Sequence, residues 1–346
     1  MKLGLIYDLR NPERWAKPWP KHYGEFVEHV AYMEQLGFEL LELPEHHFDP
    51  DAYIPNPIPI LAALAVKTQR ILLGSNLFII PNHHPVRLAE DVAMVDILSN
   101  GRVVFKAGAG GRRNEPPGLG FKEEHRFGRN TEGMEIIKRC WTEEVFDFDG
   151  HHYKLKGVRA LPKPVQKPHP PIFMPAMNLR SMERNVRLGY GANMGYALHG
   201  VADMSEWKQW HKQWTDTLRK HSRAPDELPT SSFPILFATD DPERAWNKHK
   251  EGILHVAQSY ATMMGAQAFT AMIGRPPPEK PEDLPNWNRI FLTPDDCVKH
   301  IQEYYGDALP DHLVLWGDRP GMTLEESAQF HQTFIEKVWP RIRDKK

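Results

Sequence analysis

The chain has 346 residues, 41% of them hydrophobic and 25% charged, with a formal net charge of −2 at pH 7. That length and apolar content support one large domain with a sizeable core, and the near-neutral, well-mixed charge removes any electrostatic case for nucleic acid or an acidic membrane surface. Two cysteines, Cys140 and Cys297, exclude a disulfide framework or a cysteine-rich metal site and fit a reducing compartment. The opening MKLGLIYDL lacks a signal-peptide core, and no apolar run approaches the roughly 20 residues that span a bilayer. The expectation is a soluble, cytoplasmic protein.

Lys2 to Leu9 reads as a first strand, and a helix from about His22 to Leu36 is capped by Gly37. Phe38 to Leu43 is a second strand that delivers Glu45–His46–His47–Phe48 at its C-terminal end. Asn56 to Val66 reads as helix, and Ile71 to Ile80 as an apolar, β-branched strand of the kind buried on both faces. After Asn82–His83–His84–Pro85, the positions Val86, Ala89, Val92, Ala93, Val95 and Leu98 recur at helical spacing. Arg102 to Ala107 is a fourth strand running into Gly108–Ala109–Gly110–Gly111. Two apolar strands joined by one short helix form a βαβ unit, so this pair is expected to be parallel.

A polar loop from Arg112 to Gly120 and a helix of about Glu123 to Trp141 follow. FDFDGHHYKLKG reads as a hairpin turning at Asp149–Gly150, and LPKPVQKPHPP as an extended, rigid connector. Strands are then expected over Ile172–Ala176, Ala192–Tyr196, Phe233–Ala238 and His312–Trp316. Helices are expected over Leu179–Leu188, Ala202–Lys220, Asp241 to about Ala257 with Asp240 as cap, Thr293–Tyr305 and Thr323–Val338.

Eight strands, each followed by a helix, specify an α/β (β/α)8 TIM barrel. It is expected as a single domain over 1–346, with insertions after strands 4 and 7 at about 112–171 and 258–290. A doubly wound open sheet is the competitor, but no GxGxxG follows the first strand. A barrel places its site at the C-terminal ends of the strands. That rule nominates His46, Asn76–Ile80, Gly108–Gly111, Asn178–Ser181, Tyr196–His199, Ala238–Asp240 and Trp316–Arg319.

EHHFDPDAYIPNP after strand two, GSNLFIIPNHHPVRLAEDVAMVDILSNGR across strands three and four, and TPDDCVKHIQEY near the C-terminus together resemble the bacterial-luciferase-like flavin monooxygenases. The resemblance covers nearly the whole barrel and is weakest over 200–290. It implies reduced FMN as co-substrate, supplied by a separate NAD(P)H-dependent flavin reductase. It also implies reaction with O2 to a flavin C4a-hydroperoxide that oxygenates a small apolar organic substrate. The protein's part is then to bind the phosphate, exclude water and place a proton donor or acceptor near the flavin. Relatives commonly pair through the helices beside strands two and three, so a homodimer is expected.

His46 matches the family's catalytic histidine, and an imidazole titrating near neutrality suits proton transfer. His47 must point the other way if the strand continues, and a metal site built on these residues has no further ligand spacing to support it. Asn76–Leu77 falls where the family carries a non-proline cis peptide under the flavin ring. Asn76 either hydrogen-bonds the flavin's pyrimidine edge or is an ordinary polar strand residue. Gly108, Ala109 and Gly110 permit close approach to a planar ligand. Luciferase itself has a reactive cysteine and an arginine at the first two of these positions, so their absence argues against light emission.

Phosphate partners are then sought at Arg112, Arg113 or Arg129, with Arg129 the best match to a family arginine. A second candidate is the helix start formed by Met177, Asn178, Leu179, Arg180 and Ser181, whose free N–H groups suit an anion. Simple N-capping by Asn178 would look identical in sequence. Tyr196, His199, Met263, Met264, Phe269 and Trp316 are candidate substrate-pocket residues, joined by Met272 and Trp287; Met263, Met264, Phe269, Met272 and Trp287 lie in the variable region and could equally be core or dimer interface. Two other functions remain open: F420-dependent hydride transfer, which the same superfamily contains, and a catalytically silent flavin-binding protein.

Overall fold

The computed structural model describes residues 1–194, 204–284 and 290–343. Eight parallel strands close into a barrel: β1 (Lys2–Ile6), β2 (Leu40–Leu43), β3 (Leu72–Ser75), β4 (Val103–Gly108), β5 (Ile172–Pro175), β6 (Gly191–Asn193), β7 (Thr230–Ser232) and β8 (His312–Trp316). Each pairs with the next, and β1 returns to β8 with Lys2 beside His312 and Ile6 beside Trp316. Helices α1 (Trp19–Leu36), α2 (Ile58–Lys67), α3 (Pro85–Leu98), α4 (Arg126–Thr142), α5 (Leu179–Leu188) and α6 (Met204–Lys220) follow the first six strands. Then come α7 (Pro242–Met264), α8 (Ala266–Ile273), α9 (Pro294–Tyr305) and α10 (Leu324–Thr333). This is a TIM barrel.

Strand alternation divides the core in two. Ile6, Leu40, Val104, Phe173, Val314 and Trp316 form one buried cluster, while their neighbours Leu5, Leu41, Val103, Phe105, Leu313 and Leu315 join the large layer that also buries the helices. Caps fix the helix starts: Thr293 and Thr323 accept from the Asp296 and Glu326 amides, and the latter forms a reciprocal capping box. The GR that closes the long motif is structural. The Arg102 guanidinium donates to the carbonyls of Ala65, Thr68 and Ile71, tying the end of α2 to the barrel.

Four expectations are corrected. The seventh barrel strand is Thr230–Ser232, not Phe233–Ala238; Phe237–Ala238 pairs instead with Phe291–Leu292 in a separate two-stranded sheet. Strand seven is polar because Ser231 accepts from the buried Lys106 Nζ at 2.5 Å and Thr230 binds Asp311. The apolar run expected over Ile71–Ile80 breaks after Ser75 and resumes at Phe78–Ile79 beside β4. Asp241, not Asp240, caps α7, accepting from the Arg244 amide at 3.0 Å, while Asp240 pairs with Lys337. Much of the region read as irregular after 258 is helical, since α7 runs on to Met264 and α8 follows. The hairpin forms as expected, with Phe146–Asp149 against Lys154–Val158. No helix among the described residues is long and apolar enough to cross a membrane.

Candidate functional site

A cavity of about 1120 Å³ opens at the C-terminal ends of the strands. One wall carries His46, Tyr53, Asn76 and Leu77, and a second carries Gly108 to Gly111 with Phe127, Asn130 and Thr131 of α4. The start of α5 contributes Met177, Asn178, Arg180, Ser181, Arg184 and Arg187. Phe233, Ile235, Val256, Tyr260, Trp316 and Arg319 close the far side. Volume and mixed lining suit a cofactor with an organic substrate.

His46 follows β2, and its Nδ1 lies 3.0 Å from Glu115 Oε1, while its ring meets Tyr53 edge-on at 4.7 Å. Burial pulls the imidazole down to about 4, and the Glu115 hydrogen bond offsets only part of that. Burial alone would raise the Glu115 carboxyl, but donation from His46, the His47 amide and Asn82 holds it below the usual carboxylate range. An ionised Glu115 accepts only, so Nδ1 carries the proton and Nε2 keeps a lone pair. The side chain is therefore a neutral base with a fixed tautomer. His47 points elsewhere and binds Glu45, which also holds His83 at 2.8 Å.

Beneath this wall is a buried ion pair between Lys106 and Glu42, both fully buried. Burial favours the neutral form of each, pushing Glu42 up and Lys106 down. Glu42 also accepts from Asn76 Nδ2 at 2.7 Å, and Asn76 Oδ1 accepts from Asn193 Nδ2 at 2.8 Å. Both ends of the Asn76 amide are thus engaged with protein. The Asn76–Leu77 peptide is cis. A Cβ on Gly108 would lie 2.7 Å from Leu77 Cδ1, and one on Gly110, at φ +70°, would lie 2.7 Å from Ile79 Cγ2, so side chains here would crowd this wall.

At the mouth, Asn178 caps α5 by accepting from the Ser181 amide at 3.0 Å, and its own amide donates to Ser181 Oγ at 3.1 Å. The capping reading of Asn178 is therefore realised, and it leaves the N–H groups of Leu179 and Arg180 at the helix start. Arg180 stands at that start, Arg184 and Arg187 follow along α5 with Arg184 donating to the Pro175 carbonyl, and Glu183 on the same helix pairs with Lys220 at 2.6 Å. Four buried atoms on lining residues, Asn130 Oδ1, Asn193 Oδ1, Trp316 Nε1 and Arg319 Nε, have no hydrogen-bond partner among the described residues. Such atoms are available to water or to a ligand in the cavity.

Several expected site residues lie elsewhere. Arg129 is off the cavity wall: its guanidinium donates to the Pro81 carbonyl and stacks on Phe121 at 4.6 Å. Arg112 is spent on Asp49 at 2.9 Å. Leu179 is exposed outside the rim. α7 presents Val256 and Tyr260 to the cavity, while Met263 and Met264 sit a turn beyond and Phe269 is buried in the helix–barrel core. Ala238–Asp240 is displaced by Phe233 and Ile235, a consequence of the shifted strand seven. Tyr196, His199 and Trp287 lie outside the described residues. Glu115 has no spacing signal in the sequence, because it stands alone at the start of a short helix over Glu115–Gly118, 69 positions from its partner. Among the described residues, no cluster of three His, Cys, Asp or Glu is placed to hold a metal.

A family model for luciferase-like monooxygenases matches residues 1–310. The oxygenase component of flavin-dependent trigonelline monooxygenase from Acinetobacter baylyi is 30% identical over 171 residues, covering 48% of this chain and 47% of that protein. The F420-dependent glucose-6-phosphate dehydrogenase of Microbacterium testaceum is 30% identical over 331 residues, covering 92% and 93%. Among solved structures, the monooxygenase RslO1 from Streptomyces bottropensis shares the fold with a TM-score of 0.84 at 24% identity, covering 98% of this chain and 99% of that one. The chain spans about half the length of the curated relatives it matches first.

Proposed function

The chain belongs to the luciferase-like monooxygenase family, and from that membership we propose that it is the oxygenase of a two-component system, using reduced FMN and O2 to oxygenate a largely apolar organic substrate. A separate NAD(P)H-dependent reductase would supply the reduced flavin. The observation that carries this reading is a neutral, tautomer-fixed His46 on the wall of a cavity whose mouth is cationic and whose inner face is glycine-lined.

The residues present fit the flavin. The α5 start, with Arg180 and Arg184, suits its phosphate, and Leu77, Gly108 and Gly110 suit one face of the ring system. Asn193 Oδ1, an acceptor without a partner, suits a ring N–H. Bound reduced flavin supplies the oxygen chemistry. The protein's contribution is proton handling: His46 Nε2 takes or returns a proton while Glu115 holds Nδ1–H in place. Leu77, Ile79, Phe233, Ile235 and Val256 keep water from the reacting atoms.

Reduced FMN should bind at least about tenfold more tightly than reduced riboflavin, as one charge-assisted contact is worth about 1.5–3 kcal/mol. Arg180→Gln/Arg184→Gln should remove that difference. Equal affinity for the two flavins in the wild-type protein would sink the phosphate assignment. The second reading is F420-dependent hydride transfer, favoured by the length over which the glucose-6-phosphate dehydrogenase relative aligns.

A further inference from the structure

Arg10 and Arg319 are both buried near the cavity, and they are treated very differently. Arg10 meets three carboxylates, Asp51 at 2.6 Å, Asp8 at 3.1 Å and Asp49 at 3.5 Å, with only its Nη2 left without a hydrogen-bond partner among the described residues. Arg319 is 2% exposed and lines the cavity, yet it has no ion pair among the described residues. Its Nη1 donates to the Asp318 carbonyl at 2.7 Å, its guanidinium lies over the Trp316 ring at 4.5 Å, and its Nε has no hydrogen-bond partner among the described residues. Asp8 and Asp318 bear on it through charge, but neither makes an ion pair with it among the described residues. Asp8 is committed to Arg10, and burial, with Asp8 adding to it, pushes the Asp318 carboxyl up to about 7.

A second donor lies beside it. Trp316 Nε1 is also buried without a hydrogen-bond partner among the described residues, on a residue that lines the same wall. A guanidinium withdrawn from water without a counter-charge is unfavourable, and an oxyanion supplied by a ligand removes the penalty. The mouth cluster at α5 is three strands away around the barrel. On the reading above, that cluster takes the single phosphate of FMN, so a second anion in the cavity has to belong to the other ligand.

We propose that Arg319 and the Trp316 indole N–H form a carboxylate subsite, and that the organic substrate is an apolar-bodied carboxylic acid. This rests on the proposed flavin-plus-substrate reading and narrows it. The guanidinium's fork geometry suits a planar carboxylate, and the surrounding Phe233, Ile235 and Val256 suit an apolar body.

The test titrates wild-type protein, Arg319→Met, Arg319→Gln and Arg319→Lys with linear monocarboxylates and phenylacetate, each against its matching amide, following tryptophan fluorescence. Reduced FMN is titrated into the same proteins. In the wild type, at least one acid should bind at least tenfold more tightly than its amide. Arg319→Met and Arg319→Gln should abolish that preference, and Arg319→Lys should keep part of it. Arg319→Met should melt no lower than wild type, because it removes an unpaired buried charge. A preference that is absent from every acid–amide pair, or that survives in Arg319→Met, overturns the proposal. Retained acid preference in a wild-type protein that ignores reduced FMN would leave the subsite standing and remove the flavin reading instead.

Discussion

Replacing Lys106 by methionine isolates the floor of the cavity. Lys106 and Glu42 are both fully buried and paired, and Lys106 also donates to Ser231 Oγ at 2.5 Å. Methionine nearly preserves length and volume, so the packing cost stays below about 1.5 kcal/mol. The dominant effect is a carboxylate left buried without its cation, which costs about 3–5 kcal/mol. That is a large fraction of the roughly 5–15 kcal/mol that holds a domain together. The double variant Lys106→Met/Glu42→Gln removes the orphan charge while keeping an acceptor for Asn76 Nδ2, so it should recover most of the loss. The loss has a pH signature as well. Burial raises Glu42 above its unfolded value, so the penalty is present above that unfolded value and shrinks as the carboxyl takes a proton at lower pH. Urea unfolding of the three proteins at pH 7.5 and 5.5 reads all of this. A loss under about 1 kcal/mol in the single variant, or a double variant no more stable than the single, would refute the reasoning.

Three further outcomes follow from the same geometry. His46→Gln should lower substrate-coupled turnover by about 10²–10⁴ with reduced-flavin binding retained, and 15N NMR should find wild-type His46 neutral and protonated on Nδ1 at pH 7; an imidazolium there would contradict its depressed value. His29, His312 and His331 are also buried, the first two held down to about 3 and the last to about 4. With His46, they refuse protons that the unfolded chain accepts below about 6.5, so stability should fall by about 1 kcal/mol per histidine between pH 7 and 5.5, and a urea midpoint unchanged over that range would exclude it. Gly252→Ala on α7 should destabilise by at least about 1–3 kcal/mol, since its Cβ would lie 1.8 Å from the Pro320 carbonyl oxygen; an unchanged melting temperature would show that α7 does not press on the segment carrying Arg319.

What was legible in the sequence was whatever local pattern decides. β8 and α5 fall on their expected residues because an apolar run ended by Gly317 and a capped stretch ended by Gly189 leave few alternatives. Strand seven was not legible. Its three hydroxyl residues are explained by Asp311, Lys106 and Tyr305, which meet Thr230, Ser231 and Ser232 from distant parts of the chain, while the apolar run after it belongs to another sheet. His46 was nominated from its place after strand two, but the glutamate that fixes its tautomer was not, because the contact spans two intervening βα units. Arg319 fell within a nominated strand end. Only the fold shows that it differs from Arg10 in making no ion pair among the described residues.

On the proposed function, this cavity takes reduced FMN and directs its reaction with oxygen. The most direct measurement is anaerobic titration of the protein with reduced FMN and with reduced F420, followed by mixing each complex with air-saturated buffer. Reduced FMN should bind preferentially and give an oxygen-dependent spectrum that outlasts oxidation of the free flavin. Preferential F420 binding with no reaction toward oxygen would contradict it.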